Sequence, residues 1–235
     1  MKTKLTTVLT LIAFFIGFQS VQAAEEIREV AAFSEISLRI PGKLYLEQGS
    51  KQSVEIVAKQ STLDEIITEV KGRELIIRFK SKNYLWKDFE TGKIEIFITV
   101  PEIDGLSVSG SGDIINDGEI NSRILNLAVS GSGDILLNDL KAERLKVAIS
   151  GSGDVELAGS GKTEDLSVAI SGSGNYKGAD FACDDVNVRI AGSGSAYVHA
   201  DRVLNVRVAG SGDVKYKGNP QIDQSVVGSG RVIQY

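Results

Sequence analysis

The chain of 235 residues holds one cysteine, Cys183, one histidine, His199, one tryptophan and three prolines. A lone cysteine excludes an intrachain disulfide, so an exported domain of this size must be held by core burial, and Cys183 reads as structural rather than reactive. A lone histidine excludes a histidine-built metal cluster. His199 follows Tyr197-Val198 in a link between strands, where a solvated side chain is expected. Basic clusters are missing as well: setting aside Lys2 and Lys4, 24 of the 26 Lys and Arg remain against 31 Asp and Glu, a formal net charge of −7. That balance excludes nucleic acid as a partner. Helix signals are poor throughout.

What is present begins with a leader. Lys2 and Lys4 precede an apolar run from Val8 to Phe18 and a small-residue site at Val21-Gln22-Ala23, the pattern of a bacterial signal peptide over residues 1–23. The run is well short of the ~20 residues that a membrane span requires. A mature chain without a transmembrane segment is therefore expected in the periplasm, at the outer-membrane surface or secreted. No cysteine follows the cleavage site, so a lipoprotein anchor by that route is excluded.

The dominant feature is a motif written seven times: SGSGD from Ser109, Ser130 and Ser150, SGSGN from Ser171, AGSGS from Ala191, AGSGD from Ala209 and VGSGR from Val227. Its first glycines, from Gly110 to Gly228, are spaced 21, 20, 21, 20, 18 and 18 residues apart. A fixed period near twenty marks a repeat architecture. Parity supplies the geometry. Leu125, Leu127, Val129, Gly131, Gly133, Ile135 and Leu137 share one side of an extended chain, while Ser130, Ser132 and Asp134 share the other. Two apolar strands thus flank inward glycines, which permit a sharp bend without a Cβ in the core. The expected fold is all-β: a right-handed parallel β-helix of ~20-residue coils with a rise of ~4.8 Å, over residues 101–235. A barrel of hairpins is the rival, but two-residue hairpins favour Asn-Gly or Asp-Gly at the turn.

Residues 24–100 lack the motif and alternate at Ile36 to Ile40, Leu44 to Leu46, Val54 to Ala58, Leu75 to Phe79 and Ile94 to Val100. They predict an antiparallel segment packed on the helix, with a hairpin turn between Val70 and Leu75, so that residues 24–235 form one structural domain. Tyr84, Leu85, Trp86 and Phe89 form an aromatic cluster expected to cap the core, with a ligand platform as the alternative.

The outward corner positions carry the chemistry. Asp113, Asp134 and Asp154, with Asp213 further on, occupy equivalent places, and the column continues through Asn175, Ser195 and Arg231. Stacked carboxylates could hold calcium or the hydroxyls of a glycan, or accept backbone N–H bonds at the corner. The mixed column favours the backbone reading, so no catalytic, cofactor or metal residue is assigned. Gly159-Ser160-Gly161-Lys162-Thr163 resembles the end of a phosphate loop, but Glu156 stands where that loop needs glycine, and a strand follows. The nine-residue calcium repeat of toxins has a different period.

The opening segment, the serial SGSGD corners and the closing VGSGRVIQY resemble the GIN domain family, adhesin-head domains found mainly in exported Bacteroidetes proteins. The resemblance spans residues 30–235 and implies a β-helical fold and a binding role, with no family catalytic residues to transfer. It points to an exported, non-enzymatic binding module for a glycan or an envelope protein. Two alternatives remain: a polysaccharide-active enzyme using Asp134 and Asp154 with Lys146 or Arg144, or a structural envelope-stress protein without a small ligand.

Overall fold

In each repeat the alternating residues on either side of the Gly-Ser-Gly motif fold as strands, and the motif is the corner between them. The computed structural model describes residues 23–81, 91–159 and 162–235; residues 1–22 of the leader and the Tyr84, Trp86 and Phe89 cluster lie outside the described residues. The opening strands are β1 (Ala24–Ile27), β2 (Glu35–Leu38), β3 (Lys43–Gln48) and β4 (Ser53–Ala58), followed by a one-turn helix α1 (Gln60–Leu63), then β5 (Ile66–Lys71), β6 (Glu74–Phe79) and β7 (Glu95–Val100). The repeats supply β8 (Gly105–Gly110), β9 (Asp113–Gly131), β10 (Ile135–Gly151), β11 (Val155–Leu157), β12 (Lys162–Gly172) and β13 (Tyr176–Gly192). The last are β14 (Ala196–Gly210), β15 (Val214–Lys217), β16 (Gln221–Gly228) and β17 (Val232–Gln234).

The strands stack as a parallel β-solenoid. Residues before each corner form face A, where β2, β8, the ends of β9, β10, β12, β13 and β14, and then β16 pair in parallel. Residues after each corner form face B, from β3 through the starts of β9 and β10, β11, the starts of β13 and β14, to β15 and β17. A shorter face C places Asp139–Ala142 beside Glu119–Ser122, and Lys162 and Thr163 beside Ala182 and Cys183. The first glycines of the seven motifs pair one above another, so one repeat is one coil, as the parity requires.

Unequal repeat lengths are absorbed after face B and not at the corners. The register slips by one residue between Leu137 and Asp139, and by three between Lys177 and Ala182, where residues 178–181 stand against Val198 alone and Phe181 turns fully into the core. One coil buries Leu125, Leu127 and Val129 from face A, Ile135 and Leu137 from face B, and Leu140 and Ala142 from face C. These join a core that continues from Phe33 to Val214.

The opening segment is mixed rather than wholly antiparallel. The expected hairpin forms, with Val70 opposite Leu75 and Lys71 opposite Glu74. However, β2 and β3 run parallel to β8 and β9, because Ile36, Leu38, Leu44 and Leu46 carry the same inward parity as the repeats. Pro41-Gly42 is an additional corner: Gly42 lies at φ 151° and its carbonyl accepts the Asp113 N–H at 2.9 Å. Among the described residues antiparallel pairing is confined to β1 with β4, β4 with β7, and β5 with β6.

Both corner glycines are required, for different reasons. Gly131 adopts φ 130°, a conformation other residues rarely reach. Gly133 is excluded from substitution by contact: a Cβ there would lie 1.9 Å from the Gly112 carbonyl oxygen and 2.8 Å from Val108 Cγ1. The obstacle is backbone, so no rotamer relieves it. Gly133→Val is expected to destabilise by more than about 3 kcal/mol in urea unfolding, while Gly118→Ala, in the link, stays within about 0.5 kcal/mol of the parent. Equal stability of the two variants would refute the corner assignment.

Candidate functional site

Face B carries the side chains singled out by the sequence, and the corner explains their order. From Gly110 to Gly210 each first-glycine carbonyl accepts two amides from the next coil: Gly110 O takes Ser132 N–H at 2.8 Å and Gly133 N–H at 3.1 Å. The next amide along, that of Asp134, is then met by a side chain, Asp113 Oδ1 at 3.2 Å. The arrangement repeats upward. Asp154 N–H donates to Asp134 Oδ1 at 2.7 Å, Asn175 N–H to Asp154 Oδ1 at 2.8 Å and Ser195 N–H to Asn175 Oδ1 at 3.0 Å. Asp213 N–H reaches Ser195 Oγ at 3.4 Å, and Arg231 N–H reaches Asp213 Oδ1 at 3.0 Å. The column is a ladder of amide caps.

Unit charges stacked at about 4.8 Å repel by roughly 3 kcal/mol at an effective dielectric of 20. Amide donors and neighbouring cations offset this. Lys43 lies beneath Asp113 in the column, Lys177 Nζ sits 2.7 Å from Asp154 Oδ2, and Arg231 closes the top at 2.8 Å from Asp213. Burial pushes the Asp154 carboxyl up, but Lys177 and the two Asn175 donors outweigh it and hold the group below the ordinary aspartate range. The Arg231 guanidinium does the same for Asp213.

Two residues further along the strands runs a second column. Phe97, Tyr45, Ile115 and Leu136 are register neighbours on the outer side of face B. The Tyr45 and Phe97 rings stack with centroids 5.2 Å apart, and Phe97 remains 39% exposed. With Glu47, Thr99 and Asp117 they line a groove of about 320 Å³. The upper half of the column is polar, with three charged residues and one aromatic: Glu156, Lys177, Tyr197 and Lys215 follow, with Lys215 Nζ 5.1 Å from the Tyr197 ring centre. A groove of about 350 Å³ there includes Asn175, Asp180 and Tyr235. Sequence inspection missed the apolar spine, because β3, β7 and β9 are distant in the chain and only the coil register aligns them.

The remaining predicted residues do not converge. Lys146 stands at the far start of its face A strand, and the five residues from it to Gly151 alone span roughly 16 Å, well away from Asp154. Arg144 faces Asp165 at 3.5 Å. His199 is half-buried, 3.3 Å from Asp201. Cys183 is buried and its thiol is pushed up to about 12 by that burial, consistent with a structural role. Lys162 and Thr163 begin β12, so a strand follows the glycines, where a phosphate loop requires a helix. Among the described residues no helix is long and apolar enough to cross a membrane.

Asp134→Ala removes the acceptor for Asp154 N–H and is expected to cost about 1–3 kcal/mol, whereas Asp134→Asn keeps an amide oxygen there and costs less than about 1 kcal/mol. Millimolar calcium is expected to leave the melting temperature of the parent unchanged; a calcium-dependent rise lost in Asp134→Asn would overturn the amide-cap assignment.

The lowered Asp154 group also sets a pH dependence. Below about pH 4 the unfolded chain takes up this proton before the folded one, so the stabilisation is complete above the ordinary aspartate value and is lost as pH falls through the lower folded value. The stability gap between the parent and Asp154→Asn should accordingly narrow on acidification in parallel urea titrations, and a constant gap would contradict the assignment.

Comparison with known proteins agrees with this architecture. The family model described as "Putative auto-transporter adhesin, head GIN domain" matches residues 32–220. A crystal structure of a "putative adhesin" from Bacteroides fragilis is similar at a TM-score of 0.82 and 25% identity, covering 92% of this chain and 98% of that one. One of a "putative adhesin" from Parabacteroides distasonis has a TM-score of 0.75 at 23% identity, with the same coverages. A "Putative lipid binding protein" from the same organism has a TM-score of 0.72 at 23% identity, again over 92% and 98%, a likeness of fold. No curated protein matches the chain. With the family model covering both the opening strands and most of the solenoid, the chain belongs to the GIN head-domain family.

Proposed function

We propose that the protein is a non-enzymatic binding module of adhesin-head type, exported by the leader of residues 1–23, and that a glycan or an envelope protein docks on face B. The observation that carries this reading is the outer surface of that face. Parallel pairing of β7, β3, β9 and β10 aligns Phe97, Tyr45, Ile115 and Leu136 into a spine, with the carboxylates of Glu47 and Asp117 beside its lower half. A row of half-buried apolar side chains held by their strands, with exposed Phe97, Glu47 and Asp117 beside them, suits recognition of an extended ligand, because little side-chain entropy is lost on contact. Family membership supports the same class of activity.

A polysaccharide-cleaving reading fits less well. The Oδ1 atoms of Asp134 and Asp154 are engaged by backbone amides, and Arg144 and Lys146 belong to another face. Acid and base groups that never meet cannot share a proton transfer.

Purified protein applied to a glycan array and to immobilised envelope fractions is expected to be retained. Phe97→Ser with Tyr45→Ser should reduce retention at least tenfold while preserving the far-ultraviolet circular dichroism. Undiminished binding by the double variant would move the site off this groove. Release of unsaturated products from uronate polymers by the parent would replace the binding reading with an enzymatic one.

A further inference from the structure

The two ends of the solenoid are built differently. At the N-terminal end face A continues past β2 into β6 and antiparallel β5, and face B continues past β3 into β7 and antiparallel β4 and β1. Helix α1 adds buried Thr62 and Leu63. The edges at this end carry charge: Glu25 and Glu26 on β1, Glu69 and Lys71 on β5.

Among the described residues the C-terminal coil carries no such cover. Among the described residues β16 pairs only with β14, and β17 only with β15, so one long side of each strand presents N–H and C=O groups without a strand partner. Ile222, Gln224 and Val226 occupy inward positions that Leu204, Val206 and Val208, all buried, hold one coil below. Yet Ile222 is 38% exposed, and with Val227 and Tyr235 it makes three of the five exposed large hydrophobic residues described. The core is open here.

An open strand edge templates further pairing, and natural edges are guarded by Lys, Pro, bulges or short length. The edge strand β16 has none of these guards. It runs eight residues in unbroken register with β14, and its one charge, Asp223, is neutralised by Arg207 at 2.7 Å.

We infer that β16 is the interface of a two-fold dimer, in which it pairs antiparallel with β16 of a second copy of this chain. Head-to-tail stacking would set β16 against β1 or β5, edges that carry Glu25, Glu26, Glu69 and Lys71 and offer no continuation of its inward register. The N-terminal end is covered by antiparallel strands and α1, and the amide ladder ends in Arg231, a side chain with no acceptor, folded back onto Asp213. The matching surface for this edge is therefore the same edge on another copy, the isologous contact of a closed dimer. A register centred on Gln224 keeps inward residues facing inward. It sets Ile222 opposite Val226 of the second copy, closing the open core of both, and Asp223 opposite Ser225, so that no like charges meet.

The purified protein in sedimentation velocity is expected to reach twice the monomer mass on concentration and to dissociate on dilution. Gln224→Cys, at the two-fold axis, should form an inter-copy disulfide under mild oxidation, since opposed residues of antiparallel strands lie within bridging distance and native Cys183 is buried. Ser150→Cys, exposed in mid-solenoid on the same face, should not crosslink. Ile222→Lys with Ser225→Lys should give a monomer with unchanged circular dichroism. A parent that stays monomeric at every concentration, equal crosslinking of both cysteine variants, or assemblies growing beyond the dimer would each overturn the inference.

Discussion

Glycine stacked on glycine governs this molecule. At each corner a carbonyl from one coil accepts two amides from the next, and the backbones approach until a single Cβ would fall about 2 Å from a carbonyl oxygen. Hydrogen bonds at that separation hold the coils at strand spacing around a bend that no other residue could enter. Because the contact repeats at each coil, every other position is brought into register with its counterpart above and below. Length differences are displaced into face C, where the backbone can bulge without disturbing the corner.

The same contact creates the aspartate column. With two amides already committed to one carbonyl, the third needs an acceptor on a short side chain. Asp, Asn and Ser supply it in turn, which accounts for a column mixed in charge but uniform in function. Carboxylates in this role are spent on the protein's own backbone. The surface left for a partner lies one column over, where aromatic and aliphatic groups stand in the same strands.

Sequence and structure differ in informative places. Alternation and the glycine period made the repeat coils legible, together with the Val70 to Leu75 hairpin and the outward column of Asp113, Asp134 and Asp154. Pro41-Gly42 was not legible as a corner. It lacks the second glycine, and only its inward neighbours Leu38 and Leu44 tie it to the stack. The Phe97, Tyr45, Ile115 and Leu136 spine was equally hidden, since each residue alone reads as an ordinary outward position in its own strand.

What the sequence by itself determined was the direction of each side chain and the length of each coil, because alternation and the need for glycine at a bend act on neighbours along the chain. What only the tertiary structure decided was which residues lie above one another across coils, which acceptor each corner amide finds, and which end of the core is left open. Those depend on pairing between segments tens of residues apart, and pairing is set by the whole stack at once.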